Sequence, residues 1–168
     1  EGDLERVLAV RAERPDAVLI VDANQAWNER QLRELIPRFA EIGVRLVEQP
    51  LAAGQDEALT GYESPVPLCA DESCQTAASL RSLLGKYAYV NIKLDKTGGL
   101  TEALHLAREA KRLGFRLMVG CMAGSSLSMA PAFIVGHSWD FVDLDCPLLS
   151  PSDVDHAIRY EGGRMYPP

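Results

Sequence analysis

Short apolar runs that end in charged or polar residues recur along the chain, and segments with helical spacing lie between them. Several of these runs, such as residues 17–21, are apolar without alternation, which predicts strands buried on both faces of a parallel sheet. The runs end at intervals of roughly 25 residues, the period of a repeated βα unit. The predicted strand ends are Asp22, Glu48, Asp71, Lys93, Cys121 and Asp143. The pattern therefore predicts an α/β fold of six such units.

The helices between the strands are predicted from apolar residues at spacings of three and four. Asn28 and Gln31 have the spacing of a capping box at the start of one helix. Residues 125–135 are apolar almost all round and predict a buried helix, residues 141–145 predict the last strand, and residues 151–168 have no clear periodicity. The residues predicted to face the core are Leu32, Leu35, Ile36, Phe39, Ala40, Leu80, Leu83, Leu84, Leu104, Ala107, Ala110 and Leu113.

Six units leave two architectures open. A closed (β/α)₈ barrel needs eight units and typically about 250 residues, whereas the chain has 168. The sequence predicts either an open six-stranded sheet or a barrel that lacks its first two units. Neither a linker nor a low-complexity segment interrupts residues 1–168, so we expect one domain.

Composition excludes several kinds of partner. The net charge of −7 argues against a nucleic-acid or anionic-membrane surface, and no apolar run approaches the roughly 20 residues that span a bilayer. The four cysteines form no Cys-x-x-Cys pair and have no histidine cluster near them, which argues against a zinc site. Free thiols of this kind predict a reducing, cytoplasmic compartment.

Carboxylates end the first three predicted strands. Asp22, Glu48 and Asp71 would lie side by side, because neighbouring strands are about 4.8 Å apart. Three carboxylates without sulfur or imidazole make a hard oxygen site, which suits Mg²⁺ better than zinc. The alternative is that each acid is an ordinary helix N-cap after a strand.

Four motifs together resemble the enolase superfamily, most closely its muconate-lactonizing subgroup. They are VDANQ at 21–25, VEQP at 47–50, ADES at 70–73 and NIKLDKTGG at 91–99. The resemblance implies that Asp22, Glu48 and Asp71 bind Mg²⁺ and that Lys93 is catalytic. It also implies six of the eight βα units of a TIM-type barrel, without the N-terminal capping domain and the first two strands.

The resemblance implies removal of a proton from the carbon next to a carboxylate, through an enediolate. Lysine is useful as the base only if its pKa falls from about 10.4 toward 7 or 8. Partial burial and a nearby cation both lower it. The residues expected to support the ligands and the base are Asn24, Glu72, Asn91 and Lys96.

The segment DLD at 143–145 narrows the set of activities that the resemblance implies. Asp143 and Asp145 are two residues apart and would share one face of a strand. They resemble the pair with which dipeptide epimerases of the subgroup bind a substrate ammonium group, and Cys121 and Met122 would shape the same pocket. The implied activity is that of a Mg²⁺-dependent dipeptide epimerase, an isomerase.

Several alternatives stay open beside the dipeptide epimerase. Within the subgroup they are a racemase of N-acylamino acids, a cycloisomerase and a dehydratase like o-succinylbenzoate synthase. The mandelate racemase subgroup is rejected, because none of the three histidines, His105, His137 and His156, falls at the predicted strand end of residues 118–122. The glycine- and serine-rich segment 120–126 could instead bind a phosphate at a helix N-terminus. A non-catalytic fragment is the remaining alternative.

A two-base epimerase needs a second lysine, which the resemblance assigns to a Lys-x-Lys strand absent from these 168 residues. Both outer strands would be unpaired edges with apolar surface beside them. We therefore expect the chain to aggregate, to form a homo-oligomer or to depend on a further segment or chain that completes the barrel.

Overall fold

The computed structural model describes residues 2–167, so Glu1 and Pro168 of the predicted domain lie outside it. Strands and helices alternate along most of this range, as the apolar runs predict. Three 3₁₀ helices cover Asp56–Leu59, Ala77–Ser79 and Cys146–Leu149. The α-helices are α1 (Asp3–Glu13), α2 (Glu29–Glu41), α3 (Leu80–Leu83), α4 (Leu94–Thr97), α5 (Leu100–Arg112) and α6 (Ser126–Gly136). The strands are β1 (Leu19–Asp22), β2 (Val44–Glu48), β3 (Leu68–Ala70), β4 (Tyr89–Ile92), β5 (Arg116–Val119), β6 (Phe141–Val142), β7 (Arg159–Glu161) and β8 (Arg164–Tyr166).

Strands β1 to β6 form a six-stranded sheet in the order in which they occur in the chain. The pairs β1–β2, β2–β3 and β5–β6 are parallel. Parallel neighbours need crossover connections, and most of the connections here contain a helix. The predicted α/β fold with six strand–helix units is confirmed. No helix within residues 2–167 combines the length and apolarity that crossing a bilayer requires.

The described chain divides into two compact units. The first contains the residues up to Ser73 together with Arg81–Tyr89, and the second contains Cys74–Leu80 and the residues from Val90 onward. The carboxylates Asp22, Glu48 and Asp71 therefore belong to the first unit, and Lys93 belongs to the second.

Helix α2 provides much of the apolar core of the first unit. The predicted capping box at its start is present, with Gln31 N donating to the Asn28 side chain at 3.0 Å. Leu32, Ile36 and Phe39 are buried on one side of this helix. The ring of Trp27 lies 5.7 Å from that of Phe39, centroid to centroid. Trp27 is thus a packing residue of the core.

A smaller cluster forms part of the core of the second unit. Five buried residues from β5, α6 and the segments after β6 pack together, and they are Val119, Met129, Ala132, Leu144 and Ile158. Helix α6 approaches β5 closely, because a Cβ on Gly136 would lie 2.2 Å from Cγ1 of Val119. A side chain at position 136 would clash with Val119, so the packing requires glycine here. The backbone conformation of Gly136 does not require it.

Several apolar positions are more exposed than predicted. Val18 and Ile20 are 69% and 39% exposed, so β1 is not buried on both faces. The physical reason is that β1 is an edge of the sheet and pairs only with β2 among the described strands. Helix α6 buries one side and leaves Leu127 and Ile134 exposed at 73% and 69%. The prediction that this helix is buried all round is therefore wrong.

Two leucines assigned to helix core positions are also exposed, Leu84 at 45% and Leu104 at 43%. Leu84 follows the end of α3 and no longer lies on its buried side. In α5 the buried stripe contains Ala103, Leu106 and Ala110, which turns Leu104 toward solvent. The prediction was wrong for both residues.

Residues 159–166 form a hairpin that was not predicted from the sequence. Strands β7 and β8 are antiparallel and form a separate two-stranded sheet. Gly162 and Gly163 connect them with φ of 58° and 74°, which fits a two-residue type I′ turn. A Gly-Gly pair between short runs with aromatic residues is a known hairpin signal, and it was available in the sequence.

The contact between α6 and β5 yields a stability prediction. Gly136→Ala should lower the free energy of unfolding by about 1 to 3 kcal/mol, because the added methyl overpacks the Val119 side chain. Chemical denaturation of the variant measures this loss. Combining Gly136→Ala with Val119→Ala should cost less than the sum of the two single changes. Additive losses in this double-mutant cycle would contradict the proposed steric conflict.

Candidate active site

The register of the first three strands aligns the predicted ligands. Asp22 is the direct partner of Glu48 in the β1–β2 pair, and Glu48 is the partner of Cys69 in the β2–β3 pair. Asp71 comes directly after the end of β3 at Ala70, two residues beyond Cys69. The three carboxylates therefore lie at the carboxyl ends of three adjacent parallel strands, all in the first unit.

The three carboxylates differ in exposure. Glu48 and Asp71 are only 4% and 3% exposed, whereas Asp22 is exposed and accepts a hydrogen bond from Asn24 N at 2.8 Å. Within residues 2–167, no three or more acidic, cysteine or histidine side chains converge as a ready-made metal site. An all-oxygen donor set with two buried carboxylates nevertheless fits a hard divalent cation in its chemistry. The assignment of these ligands stays a prediction.

The loop that follows Asp22 is attached to the loop that follows Glu48. Gln25 N donates to the carbonyl of Gln49 at 2.8 Å, and the side chain of Gln25 accepts from Ala53 N at 3.0 Å. Asn24 and Gln25 have positive φ angles of 46° and 63°, which asparagine tolerates better than most residues. Asn24 thus shapes the turn beside Asp22.

A buried hydrogen-bond network next to Glu48 was not predicted from the sequence. It joins four residues of the first unit, which are Gln49, Asp56, Ser73 and Tyr87. The Tyr87 hydroxyl donates to Asp56 at 2.5 Å, and the Ser73 hydroxyl donates to the same carboxylate at 2.9 Å. Burial and the Asp56 carboxylate both raise the pKa of Tyr87. These residues are far apart in sequence, and only the positions of Gln49 inside VEQP and Ser73 inside ADES point to the site.

In the second unit Lys93 directly follows β4 and is half-buried. A Cβ on Gly120 would lie 2.6 Å from Nδ2 of Asn91 and 3.0 Å from Cε of Lys93. The absence of a side chain at Gly120 therefore leaves the space that Asn91 and Lys93 occupy. Lys96 donates from Nζ to the Asn91 carbonyl at 3.0 Å, in line with its expected supporting role.

The predicted acidic pair lies after β6 and not within it. The strand ends at Val142, which corrects the prediction of a strand over 141–145. The reason is local, because Asp145 has φ −94° and ψ 0° as the N-cap of a 3₁₀ helix. Asp143 and Asp145 are both exposed, and Leu144 between them is buried. The two acids therefore project away from the core and line a cavity of about 750 Å³.

The thiol of Cys121 contacts Cys146 near this pair. Burial, followed by its hydrogen bond to the Cys146 side chain, raises the pKa of Cys121 to about 12. A thiol in this state is neutral and is not a nucleophile. Met122, the other residue predicted to shape the pocket, is 51% exposed.

An acidic side chain occupies the N-terminus of α6. Asp153 accepts from Ser126 N at 2.9 Å and from the Ser126 hydroxyl, and these hydrogen bonds lower the pKa of Asp153. A phosphate here would have to displace a carboxylate of the chain itself. The alternative of a phosphate site at this helix is therefore not supported.

Residues 1–168 match the family described as "Enolase C-terminal domain-like". The chain belongs to this family. It is 49% identical to an N-acetyl-D-glutamate racemase from a Pseudoalteromonas species and 47% identical to the L-Ala-D/L-Glu epimerase of Escherichia coli K12. The alignments cover 98% and 96% of this chain but 52% and 50% of the relatives, so the chain spans about half of their length.

Solved structures agree with the family assignment. An enolase family member from Agrobacterium tumefaciens, with homology to dipeptide epimerases and with bound sodium and L-Ala-L-Glu, has a TM-score of 0.96 and 49% identity. The match covers all of this chain and 51% of that one. A muconate lactonizing enzyme from Pseudomonas putida has a TM-score of 0.89 and 28% identity, over 99% of this chain and 49% of its own. The resemblance to the muconate-lactonizing subgroup is confirmed. The predicted fold class, an α/β fold made of βα units of a TIM-type barrel, is confirmed as well.

The roles of the individual site residues stay predictions. Glu72, which follows Asp71 and is half-buried, keeps its expected supporting role as a prediction, as does Asn91. The same holds for Lys93 as the base and for Asp143 and Asp145 as the ammonium receptor.

The close contact at Gly120 yields a prediction for this site. Gly120→Ala should displace Lys93 and Asn91 and lower kcat by roughly 10- to 100-fold, since a misplacement of about 1 Å has effects of that order. Steady-state kinetics measure the change, and the melting temperature provides the control for folding. An alanine variant with unchanged kcat would contradict the steric role of Gly120.

Proposed function

We propose that the protein containing this chain is a Mg²⁺-dependent epimerase that inverts the α-carbon of an N-acylated glutamate, with a dipeptide as the first candidate substrate. The observation that carries the proposal is the near-equal identity to an N-acetyl-D-glutamate racemase and an L-Ala-D/L-Glu epimerase. Both names describe glutamate with an acylated nitrogen, in one case by acetate and in the other by alanine.

The proposed roles follow the chemistry of an α-proton next to a carboxylate. Asp22, Glu48 and Asp71 hold the metal, and Mg²⁺ when bound stabilises negative charge that develops on the substrate carboxylate. Lys93 removes or returns the α-proton from one face of the carbon. The half-buried position of Lys93 directly after β4, beside the space left by Gly120, supports this role.

Proton transfer at the opposite face of the α-carbon requires a second base. We infer that it comes from a segment outside these 168 residues, in keeping with the chain's coverage of about half of its relatives. That segment, or a second copy of the chain, would also cover the exposed apolar edge at Val18 and Ile20. A reducing, cytoplasmic setting fits the free cysteines.

The second candidate function is racemisation of N-acetylglutamate, which the relative at 49% identity favours. The two substrates differ in one charge, since a dipeptide carries an ammonium group and an acetylated amino acid does not. Two carboxylates at Asp143 and Asp145 suit an ammonium group. This pair is the reason for ranking the dipeptide first. Cycloisomerase and dehydratase activities stay as alternatives with weaker support, at 28% identity to the muconate-lactonizing structures.

Replacing the proposed base tests the reaction. With L-Ala-L-Glu in D₂O, the full-length protein and Mg²⁺ should exchange the glutamate α-proton, as followed by NMR. Lys93→Ala should lower the epimerisation rate by about 10² to 10⁴, the usual contribution of a general base. Removal of Mg²⁺ with a chelator should abolish exchange reversibly. Absence of exchange with both glutamate derivatives in the wild-type protein would overturn the proposal.

Neutralising the acidic pair tests the substrate. Asp143→Asn and Asp145→Asn should raise KM for L-Ala-L-Glu by about tenfold or more, because a charge-assisted hydrogen bond is lost. The same variants should leave the kinetics with N-acetylglutamate within about twofold, since that substrate has no ammonium group. An equal loss with both substrates would refute the receptor role of the pair.

A further inference from the structure

The side chain of Gln49 continues the pairing of β2 with β3 beyond the last backbone hydrogen bond between them. Gln49 N donates to the Cys69 carbonyl at 2.9 Å. Two residues further along, Asp71 N donates to the side-chain oxygen of Gln49 at 2.9 Å, and Ser73 N donates to the same oxygen at 3.1 Å. A side chain from the end of one strand thus takes the place of a backbone acceptor at the end of the next.

The orientation of the Gln49 amide is fixed by Asp56. The hydroxyls of Ser73 and Tyr87 both donate to the Asp56 carboxylate, so each hydroxyl offers only a lone pair to Gln49. The two hydrogens of Gln49 Nε2 are shared among these two oxygens, at 3.0 and 3.2 Å, and the Leu51 carbonyl, at 2.8 Å. The amide oxygen must then point toward Asp71 N. The direction of every hydrogen bond in the network is consistent with one amide orientation.

The backbone at Gln49 is held in an uncommon conformation. Its φ is +30°, which is unfavourable for a residue with a side chain, and the residue is fully buried. Such conformations persist where surrounding contacts over-determine them, often at functional sites. The contacts here are five side-chain hydrogen bonds to four residues, which are Leu51, Asp71, Ser73 and Tyr87.

We propose that Gln49 is a positioning residue that fixes the Asp71 carboxylate relative to that of Glu48. Gln49 directly follows Glu48 and holds the backbone of Asp71, so one side chain determines the spacing between these two buried acids. The proposal rests on the assignment of Glu48 and Asp71 as metal ligands. Residues that orient ligands in this way typically change metal affinity by about 10- to 100-fold when they are replaced.

Mn²⁺ binding to the full-length protein, measured by the EPR signal of the free ion, tests the role of Gln49. Gln49→Met keeps a similar volume but removes every polar atom, and it should raise the Kd for Mn²⁺ by about tenfold or more. If that variant does not fold, Gln49→Asn serves instead. It tolerates positive φ, but its amide is one methylene too short to hold both Asp71 N and Ser73 N.

Tyr87→Phe is the matched control, because it perturbs the same buried network without touching Asp71. Ser73 still orients the amide in this variant, so the Kd for Mn²⁺ should stay within about twofold of the wild type. Hydrogen exchange provides a second readout. The amides of Asp71 and Ser73 should lose protection in the Gln49 variants and keep it in Tyr87→Phe.

The outcomes separate this proposal from the proposed function. If the wild type binds Mn²⁺ and the Gln49 variants bind equally well, the positioning role is overturned while the metal site stands. If Tyr87→Phe weakens binding as much as Gln49→Met, the network has a merely structural role and the proposal is overturned. If the wild type binds no Mn²⁺, the metal assignment itself fails, and the role of Gln49 fails with it.

Discussion

The burial of two carboxylates at the ends of neighbouring strands is the constraint on which the arrangement of the first unit depends. Glu48 and Asp71 are almost inaccessible to water, and an ionised carboxylate that loses its hydration must regain the lost free energy from hydrogen bonds or cations. The chain surrounds these acids with loops that are fastened to each other. Gln25 bonds to the backbone of Gln49, and Gln49 bonds to the backbone of Asp71. These hydrogen bonds fix the backbone directly beside both buried acids.

The features that follow from local periodicity and from the ends of strands could be predicted from the sequence. The spacing of the apolar runs gave six strands in the correct order, and Asn28 with Gln31 formed the predicted capping box. Asp22 and Glu48 are direct partners in the β1–β2 pair, as expected of neighbouring strand ends, and Asp71 comes directly after the end of β3. The prediction of burial was wrong at Leu84 and Leu104, because the spacing of apolar residues does not show which side of a helix packs against the sheet.

Other features could not be predicted, because they join residues that are distant in sequence. Tyr87 and Asp56 are separated by thirty-one residues, and nothing in either local pattern connects them. The requirement for glycine at position 120 depends on Asn91 and Lys93, which belong to the preceding strand and its end. The short length of β6 depends on a turn at Asp145. The hairpin at Gly162–Gly163 is different, because its signal was present in the sequence.

The proposed base and the proposed ammonium receptor need different surroundings. The proposed base needs a fixed position, and Lys93 is half-buried and packs over Gly120, which has no side chain. The proposed ammonium receptor needs carboxylates that a substrate can reach. Asp143 and Asp145 are exposed, because the buried Leu144 between them directs both side chains outward. The proposal of a dipeptide ahead of an acetylated amino acid depends on this pair, since overall identity to the two kinds of relative is almost the same.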